Sequence, residues 1–458
     1  MTESLIPNYY RFTSAQNFVN TFSFAGSNAD SDYYYVFAGN HLDYENSTIT
    51  PIYDDSHDTS YDVYRNMIFG KIVTNTDVAL VIKRIEWQTS VVYAIYDDRD
   101  TTLSQKNFFV YAKEGTYYHV YKCLGNNSGG VSTVKPSFSE IGTDGIQYSP
   151  TDGYTWKYMY TIDTGSKVKF MDKTWIPVTV SANTPSPLIN TAGAGSIDVI
   201  NVTGGGSGYD PANAVITVAI TGDGTGAAGT ANVVSGVIKD IIVTNPGSNY
   251  TYANVSIISS LGSGATAESP TSPVGGHGFD PISELGCSHV MFTSEFNGSE
   301  GGLIPTDIDF HQLGLVVNPS SLASQTAAAA LGINSTIPAN NSIYKTTTDL
   351  IVAPGFGTYV QDEVVFQGPD DNILNATFTA IVLSFDTSTN VLKLINTTGT
   401  PSNNSPIFGQ SSSTTRTLLS YNTPNFVVNS GYLIYVENRA GVQRSSDGIE
   451  QFKIIIGF

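Results

Sequence analysis

The sequence predicts a mainly β protein of several β-sandwich-like units, with few short helices and two inserted small β modules. Three observations predict it. Short β-branched and aromatic runs recur between Asn, Asp, Gly and Pro residues. Only 13% of residues are charged while Gly alone numbers 43, a turn-rich, weakly charged composition. Helix signals, one of apolar spacing and one of alanine propensity, surface in only two places.

In chain order, the first element is a helix around Phe18, Val19 and Phe22, which recur at helical spacing behind a capping Ser14. Strands follow at 33–37, 71–73, 78–82, 107–112, 117–123 and 155–162. Their cadence fits sandwiches or barrels. Over 188–270 the composition shifts to Gly, Ala, Ser, Thr, Val and Ile, and two imperfect copies of one unit align. In the first, Ile197-Asp198-Val199-Ile200-Asn201-Val202-Thr203 leads to Gly206-Ser207-Gly208-Tyr209. In the second, Ile238-Lys239-Asp240-Ile241-Ile242-Val243-Thr244 leads to Pro246-Gly247-Ser248-Asn249-Tyr250. Each copy continues into a second strand, at 215–220 or 254–258. The expected unit is a strand, a turn whose glycines supply positive φ, a tyrosine covering that turn, and a return strand. The two copies are expected to pair as one small β domain.

A second block, 351–401, holds strands at 363–367, 377–384 and 391–395. The other helix is expected at 322–331, where Ala327 to Ala330 have the highest intrinsic propensity. The domain plan is thus an N-terminal core over 1–187, the Gly-rich insertion over 188–270, a core continuation over 271–350, the second insertion over 351–401, and C-terminal core strands over 402–458.

At 458 residues the chain exceeds a typical single core. The 21 basic against 40 acidic residues give a net charge of −19, which opposes nucleic acid as a partner, because that binding relies on cations neutralising phosphates. Cys123 and Cys287 have neither metal-like nor redox-like spacing, so buried or idle thiols made in a reducing compartment are expected. The first ten residues lack a basic stretch followed by an apolar one, and no run of about 18 apolar residues occurs. Neither an export signal nor membrane insertion is expected. Matches such as Asn46-Ser47-Thr48 are then chance products of composition.

Catalytic motifs find little support. Gly224-Thr225-Gly226-Ala227-Ala228-Gly229 fits G-x-G-x-x-G, yet β-branched residues follow where a dinucleotide site needs a helix N-terminus. A hairpin turn is expected instead. The six histidines are scattered, with no pair spaced to aim two imidazoles at one metal. Asp54, Asp55, Asp58 and Asp62, with His57 among them, are the one weak candidate for a hard-cation site, although their spacing is not that of an EF-hand. A solvated loop is the simpler expectation there. Glu86, Glu140 and Glu363 are acids of the kind glycosidases use, but sequence cannot place them as a pair. No cofactor and no enzymatic activity are expected.

Aromatic residues supply the structural candidates. Tyr154, Trp156, Tyr158 and Tyr160 alternate with Thr155, Lys157, Met159 and Thr161, which puts the four rings on one face of a strand. Such a stripe is a sheet core or an interface. Trp87 is a further candidate anchor. Arg439, beside Glu437 and Asn438, is a candidate for either a buried fork-donor tie or a surface ion pair.

Four stretches, in order, carry a family resemblance. The first is Tyr64-Arg65-Asn66-Met67-Ile68 with Gly70-Lys71-Ile72, leading to Lys83-Arg84-Ile85-Glu86-Trp87. The second runs from Asp152-Gly153-Tyr154-Thr155-Trp156 to Ile162, and the third from Phe310-His311-Gln312-Leu313-Gly314 to Asn318-Pro319. The fourth is the chain end, Ser430-Gly431-Tyr432-Leu433-Ile434-Tyr435-Val436-Glu437-Asn438-Arg439 through Ile454-Ile455-Ile456-Gly457-Phe458. In this order they resemble the baseplate wedge subunit of T-even-like contractile-tailed bacteriophages, the gene product eight family. The sequence departs from the family in the two inserted blocks and at Ala440-Gly441, where relatives carry an apolar pair containing proline.

The resemblance implies a mainly β structural protein, made in the host cytoplasm and residing in the virion. There it would form a homodimer and join other wedge subunits in the ring around the tail hub. No catalytic residues belong to that role. The alternative is a tail-fibre component that binds a receptor or degrades polysaccharide, since Gly-rich β repeats and exposed aromatics suit sugar surfaces.

Overall fold

A computed structural model describes residues 6–23, 32–40, 50–97, 99–142, 145–179, 195–322 and 342–458. The protein is mainly β, with several sheets and one closed barrel. It divides into two compact units, one of Met1–Val19, Ala79–Met291 and Ile455–Phe458, the other of Asn20–Val78 and Phe292–Ile454. The expected N-terminal core over 1–187 is therefore split between them. The reason is strand pairing: the early strands Tyr34–Gly39 and Met67–Val73 join a sheet with the late strand Ile308–Val317.

That sheet has five antiparallel strands in the order Ile343–Lys345, Met67–Val73, Tyr34–Gly39, Ile308–Val317 and Tyr432–Arg444. Every residue of Tyr34–Gly39 is buried, so its sequence reads as a continuous apolar run without alternation. Tyr35, Phe37, Tyr64, Val316, Tyr344 and Phe426 form the core on it. Glycine is required where rings cross the strands. A Cβ on Gly314 would lie 2.3 Å from the Phe37 ring. Three of the four resemblance stretches meet here, and the Tyr64 hydroxyl donates to the Gly431 carbonyl at 3.0 Å.

The block expected over 351–401 lies within a closed six-stranded barrel, around which Thr348–Val352, Val391–Gly399, Phe378–Asp386, Val364–Gln367, Pro406–Gly409 and Thr415–Asn422 follow one another. Leu350, Val365, Val382, Leu392, Leu394 and Leu418 fill its interior. The barrel runs past the expected boundary at 401, because its last two strands complete the closure.

In the other unit, Phe109–Glu114, Tyr117–Asn126, Tyr154–Ile162 and Ile146–Tyr148 form an antiparallel sheet. The Gly-rich repeat pairs as expected, by an exchange between copies. The return strands Ile216–Gly222 and Ala253–Ser259 pair with each other. Thr225–Val234 of the first copy pairs with Val237–Ser248 of the second, and Ser263–Glu268 of the second with Asn201–Ser207 of the first. Tyr209 and Tyr250 are buried at equivalent places: Ala265 N donates to the Tyr209 hydroxyl at 3.2 Å, and Ala227 N to that of Tyr250 at 3.3 Å. Gly206 and Gly247 both have φ of 62°. Gly224 is accounted for by packing, since a Cβ there would lie 2.4 Å from the Tyr250 ring.

The helices depart further from the sequence pattern. The first helix spans Asn8–Ser23, so Ser14 lies inside it; the helix begins one residue after Pro7, whose carbonyl receives Tyr10 N at 3.0 Å. The helix expected at 322–331 lies, beyond Leu322, outside the described residues. Three unexpected α-helices occur among the described residues, His57–Arg65 capped by Ser56, Thr164–Phe170 capped by Asp163, and the single turn Pro281–Glu284 capped by Asp280.

Candidate functional site

Tyr432–Arg444 is a 13-residue strand at the edge of the five-stranded sheet, paired among the described residues on one side only. An edge of this length offers a row of backbone donors and acceptors to another chain. It also offers apolar surface, with Tyr432 76% and Ile434 43% exposed. Its register against Ile308–Val317 shifts twice, between Phe310 and Gln312 and between Leu315 and Val316. Such bulges bend and twist an edge.

The strand is fixed at its Arg444 end and in its middle. At the end, Arg444 is wholly buried and uses its fork fully: Nε donates to Glu450 Oε2 at 3.1 Å, Nη1 to Pro305 O at 3.2 Å and Nη2 to Gly298 O at 2.8 Å. Its guanidinium also lies 5.1 Å from the Phe69 ring centre. This is the buried fork-donor tie considered for Arg439. Arg439 instead lies 6.0 Å from the Phe452 ring centre, with a buried Nε that makes no hydrogen bond to a described residue. In the middle, Gln312 Nε2 donates to Asn438 Oδ1 at 2.7 Å and Asn438 Nδ2 donates to Pro51 O at 3.0 Å. Glu437 accepts from the Tyr435 hydroxyl at 2.7 Å. Gly441 makes room for His311, whose Nε2 would lie 2.6 Å from a Cβ there.

The aromatic candidates lie inside the protein. Tyr154 and Trp156 are fully buried and stacked, with ring centres 5.5 Å apart and planes at 20°. Tyr93 packs edge-on against both. Tyr158 belongs to the same core, but Tyr160 does not continue the stripe: the pairing shifts register between Val120 and Tyr121, and the Tyr160 hydroxyl donates to Pro177 O. Trp87 is half-buried at the margin of this core, its Nε1 donating to Ser132 Oγ at 3.0 Å. Asp152, one residue before the motif's glycine, accepts from Thr133 N and Val134 N at 2.8 Å each.

The acids between 54 and 62 are not brought together around a common point. Asp54 accepts from Ser56 N at 3.0 Å, and hydrogen bonds from Thr59 and Ser56 hold its carboxyl below the usual range. Asp58 and Asp62 lie on the helix His57–Arg65, and Asp62 meets Arg65 at 3.7 Å. Among the described residues no group of three or more His, Cys, Asp or Glu converges. Glu363 is buried and accepts from Val360 N, Ser411 N, Ser412 N and Ser412 Oγ, a capping role within the barrel. Burial pushes both thiols, Cys123 and Cys287, well up.

A second buried ionic group was not legible in the sequence. Lys122, Glu284 and His277 are all buried, with Lys122 bonded to Glu284 and its Nζ 2.9 Å from His277 Nδ1. Glu284 also accepts from Gly278 N at 2.8 Å and Asp280 N at 3.1 Å. The Lys122 ammonium lies 3.9 Å from the Tyr96 ring centre. Burial alone would raise the Glu284 pKa, but Lys122 and His277 hold it down to about 2. His277 is lowered by burial first and by Lys122 second. No spacing rule links positions 122, 277 and 284, which only the tertiary fold brings together.

Compared with protein-family models and with curated proteins, the chain matches none.

Proposed function

We propose that this protein is a structural, non-enzymatic subunit of a contractile-tail baseplate. It takes its place in the wedge ring through protein–protein contacts, including a homodimer. The observation that carries this reading is the coincidence of two independent features on one element. The stretch from Tyr432 to Arg439, which resembles the wedge subunit family, occupies the long edge strand with exposed Tyr432 and Ile434. An edge strand anchored by a buried arginine and bearing apolar side chains is a ready site for a neighbouring chain. The subunit is made in the host cytoplasm and ends in the virion.

Co-expression with the other wedge proteins of its phage, followed by size-exclusion chromatography with light scattering, tests the proposal. A dimer that enters a larger complex is expected, and Ile434→Asp is expected to weaken assembly while leaving the subunit folded. An inert monomer that joins nothing would contradict it.

A further inference from the structure

Along the edge strand Tyr432–Arg444 the side chains are complementary about Asn438. Glu437 stands before it and Arg439 after it; next outward come Val436 and Ala440, then Tyr435 and Gly441, then Ile434 and Val442. When a strand pairs antiparallel with a second copy of itself, residues equally distant from the crossing point lie opposite each other. A two-fold contact therefore needs complementarity of this kind within one sequence.

The central charges are open to a second chain. Glu437 is exposed, and the Tyr435 hydroxyl at 2.7 Å takes up one place on a carboxylate that can accept several donors. Of the Arg439 guanidinium only Nε is shut off from solvent; its two terminal nitrogens reach the surface, and no hydrogen bond to a described residue holds them. The backbone is open as well. Arg439, Ala440 and Gly441 together stand opposite His311 alone, between the pairs Asn438 with Gln312 and Val442 with Phe310. Extra residues in such a bulge carry backbone groups that the ladder on that side does not use, and Ala440 and Gly441 are exposed.

We propose that two copies of this chain pair antiparallel along Tyr432–Arg444, crossing at Asn438, so that their two five-stranded sheets become one continuous sheet. The proposal rests on the wedge-subunit reading above and names a second copy as the partner of its edge strand. Each Glu437 then faces the second copy's Arg439, which gives two ion pairs related by the two-fold axis. Ile434 meets Val442, Val436 meets Ala440, and the Tyr435 ring covers Gly441 on the facing strand. Neighbouring registers lose this match. Crossing at Glu437 sets glutamate against glutamate, crossing at Arg439 sets arginine against arginine, and like charges directly opposite are destabilising. Joining the sheets also removes the exposed edge from each copy.

The test is sedimentation equilibrium on the full chain with its charge variants. Glu437→Arg and Arg439→Glu each set like charges opposite each other twice, and each should raise the dimer dissociation constant by roughly tenfold or more. Combining Glu437→Arg with Arg439→Glu restores both pairs with their signs exchanged and should bring the constant back close to that of the unmutated chain. Hydrogen–deuterium exchange on the unmutated chain, above and below its dissociation constant, gives a reading independent of variant folding: residues 434–442 should be protected only in the dimer. A chain that stays monomeric, a dimer indifferent to both single changes, a combined variant no better than either, or protection elsewhere would overturn the pairing. So would protection of this strand only on addition of another wedge protein, since the edge is then that protein's site. The wedge reading is judged separately, by whether the chain enters a complex with the other wedge proteins.

Discussion

Arg444 and Glu450 meet at 3.1 Å, with the guanidinium wholly buried and its other nitrogens spent on the carbonyls of Pro305 and Gly298. This pair ends the edge strand on which the assembly proposal rests. Removing one partner of a buried pair costs about 3–5 kcal/mol, because the other charge stays behind unpaired. Arg444→Met should therefore lower the urea midpoint strongly. Arg444→Lys should recover only part, since an ammonium cannot reach three acceptors in a planar fork.

The buried group in the other unit predicts an acid sensitivity with two windows. Glu284 has its pKa held from 4.5 down to about 2, so its contribution is present above 4.5 and lost as pH falls from there toward about 2. His277 is depressed below 6.5, so the folded chain binds that proton more weakly than the unfolded chain does. The unfolded chain therefore takes up that proton first, and stability falls as pH drops below 6.5. Melting temperatures measured across this range should fall on acidification. His277→Gln should flatten the upper window and Glu284→Gln the lower.

Trp156 separates core from interface. Fully buried against Tyr93 and Tyr154, it should cost about 3–5 kcal/mol on truncation to Ala, measured by denaturant unfolding. Its indole emission should be blue-shifted, and Trp156→Phe should leave oligomeric state unchanged.

Gly224 carries a similar message about the repeat. With a Cβ only 2.4 Å from the Tyr250 ring, Gly224→Ala should destabilise by about 1–3 kcal/mol through overpacking. Gly115→Ala is the contrasting control for a glycine with open space around it, its cost confined to a φ of 58°. Thermal melts of the two variants make the comparison.

The barrel should fold by itself. Asp349 pairs with Asn422, so the two ends of residues 348–422 lie side by side, as an inserted domain requires. A fragment of that span should give a cooperative melt and a β-type circular dichroism spectrum.

The sequence announced the fold where residues act locally. The repeat was readable because Gly206 and Gly247, and Tyr209 and Tyr250, recur at matching places with matching roles. The barrel was only partly readable: closure brings Pro406–Gly409 and Thr415–Asn422 against strands far back in the chain, and no local pattern marks that. The short helix His57–Arg65 was hidden among acids that suggested a loop, although Ser56 before it was a usable capping signal. Among candidate site residues, period-two spacing placed Tyr154 and Trp156 on one face and burial makes that face a core, whereas Tyr160 leaves the stripe at a register shift that spacing cannot show. Sequence points to Arg439 rather than Arg444 because burial, and not proximity to an acid, decides which arginine becomes a tie. Lys122, His277 and Glu284 were invisible as a group, since 162 residues separate the two that pair.

The most direct test of the central proposal is a density map of the assembled tail that contains this chain. The account predicts the chain in the wedge ring around the hub, with Tyr432–Arg444 lying against a neighbouring protein. Density for the chain at the hub or at a fibre tip, or a wedge position in which that strand faces solvent, would contradict it.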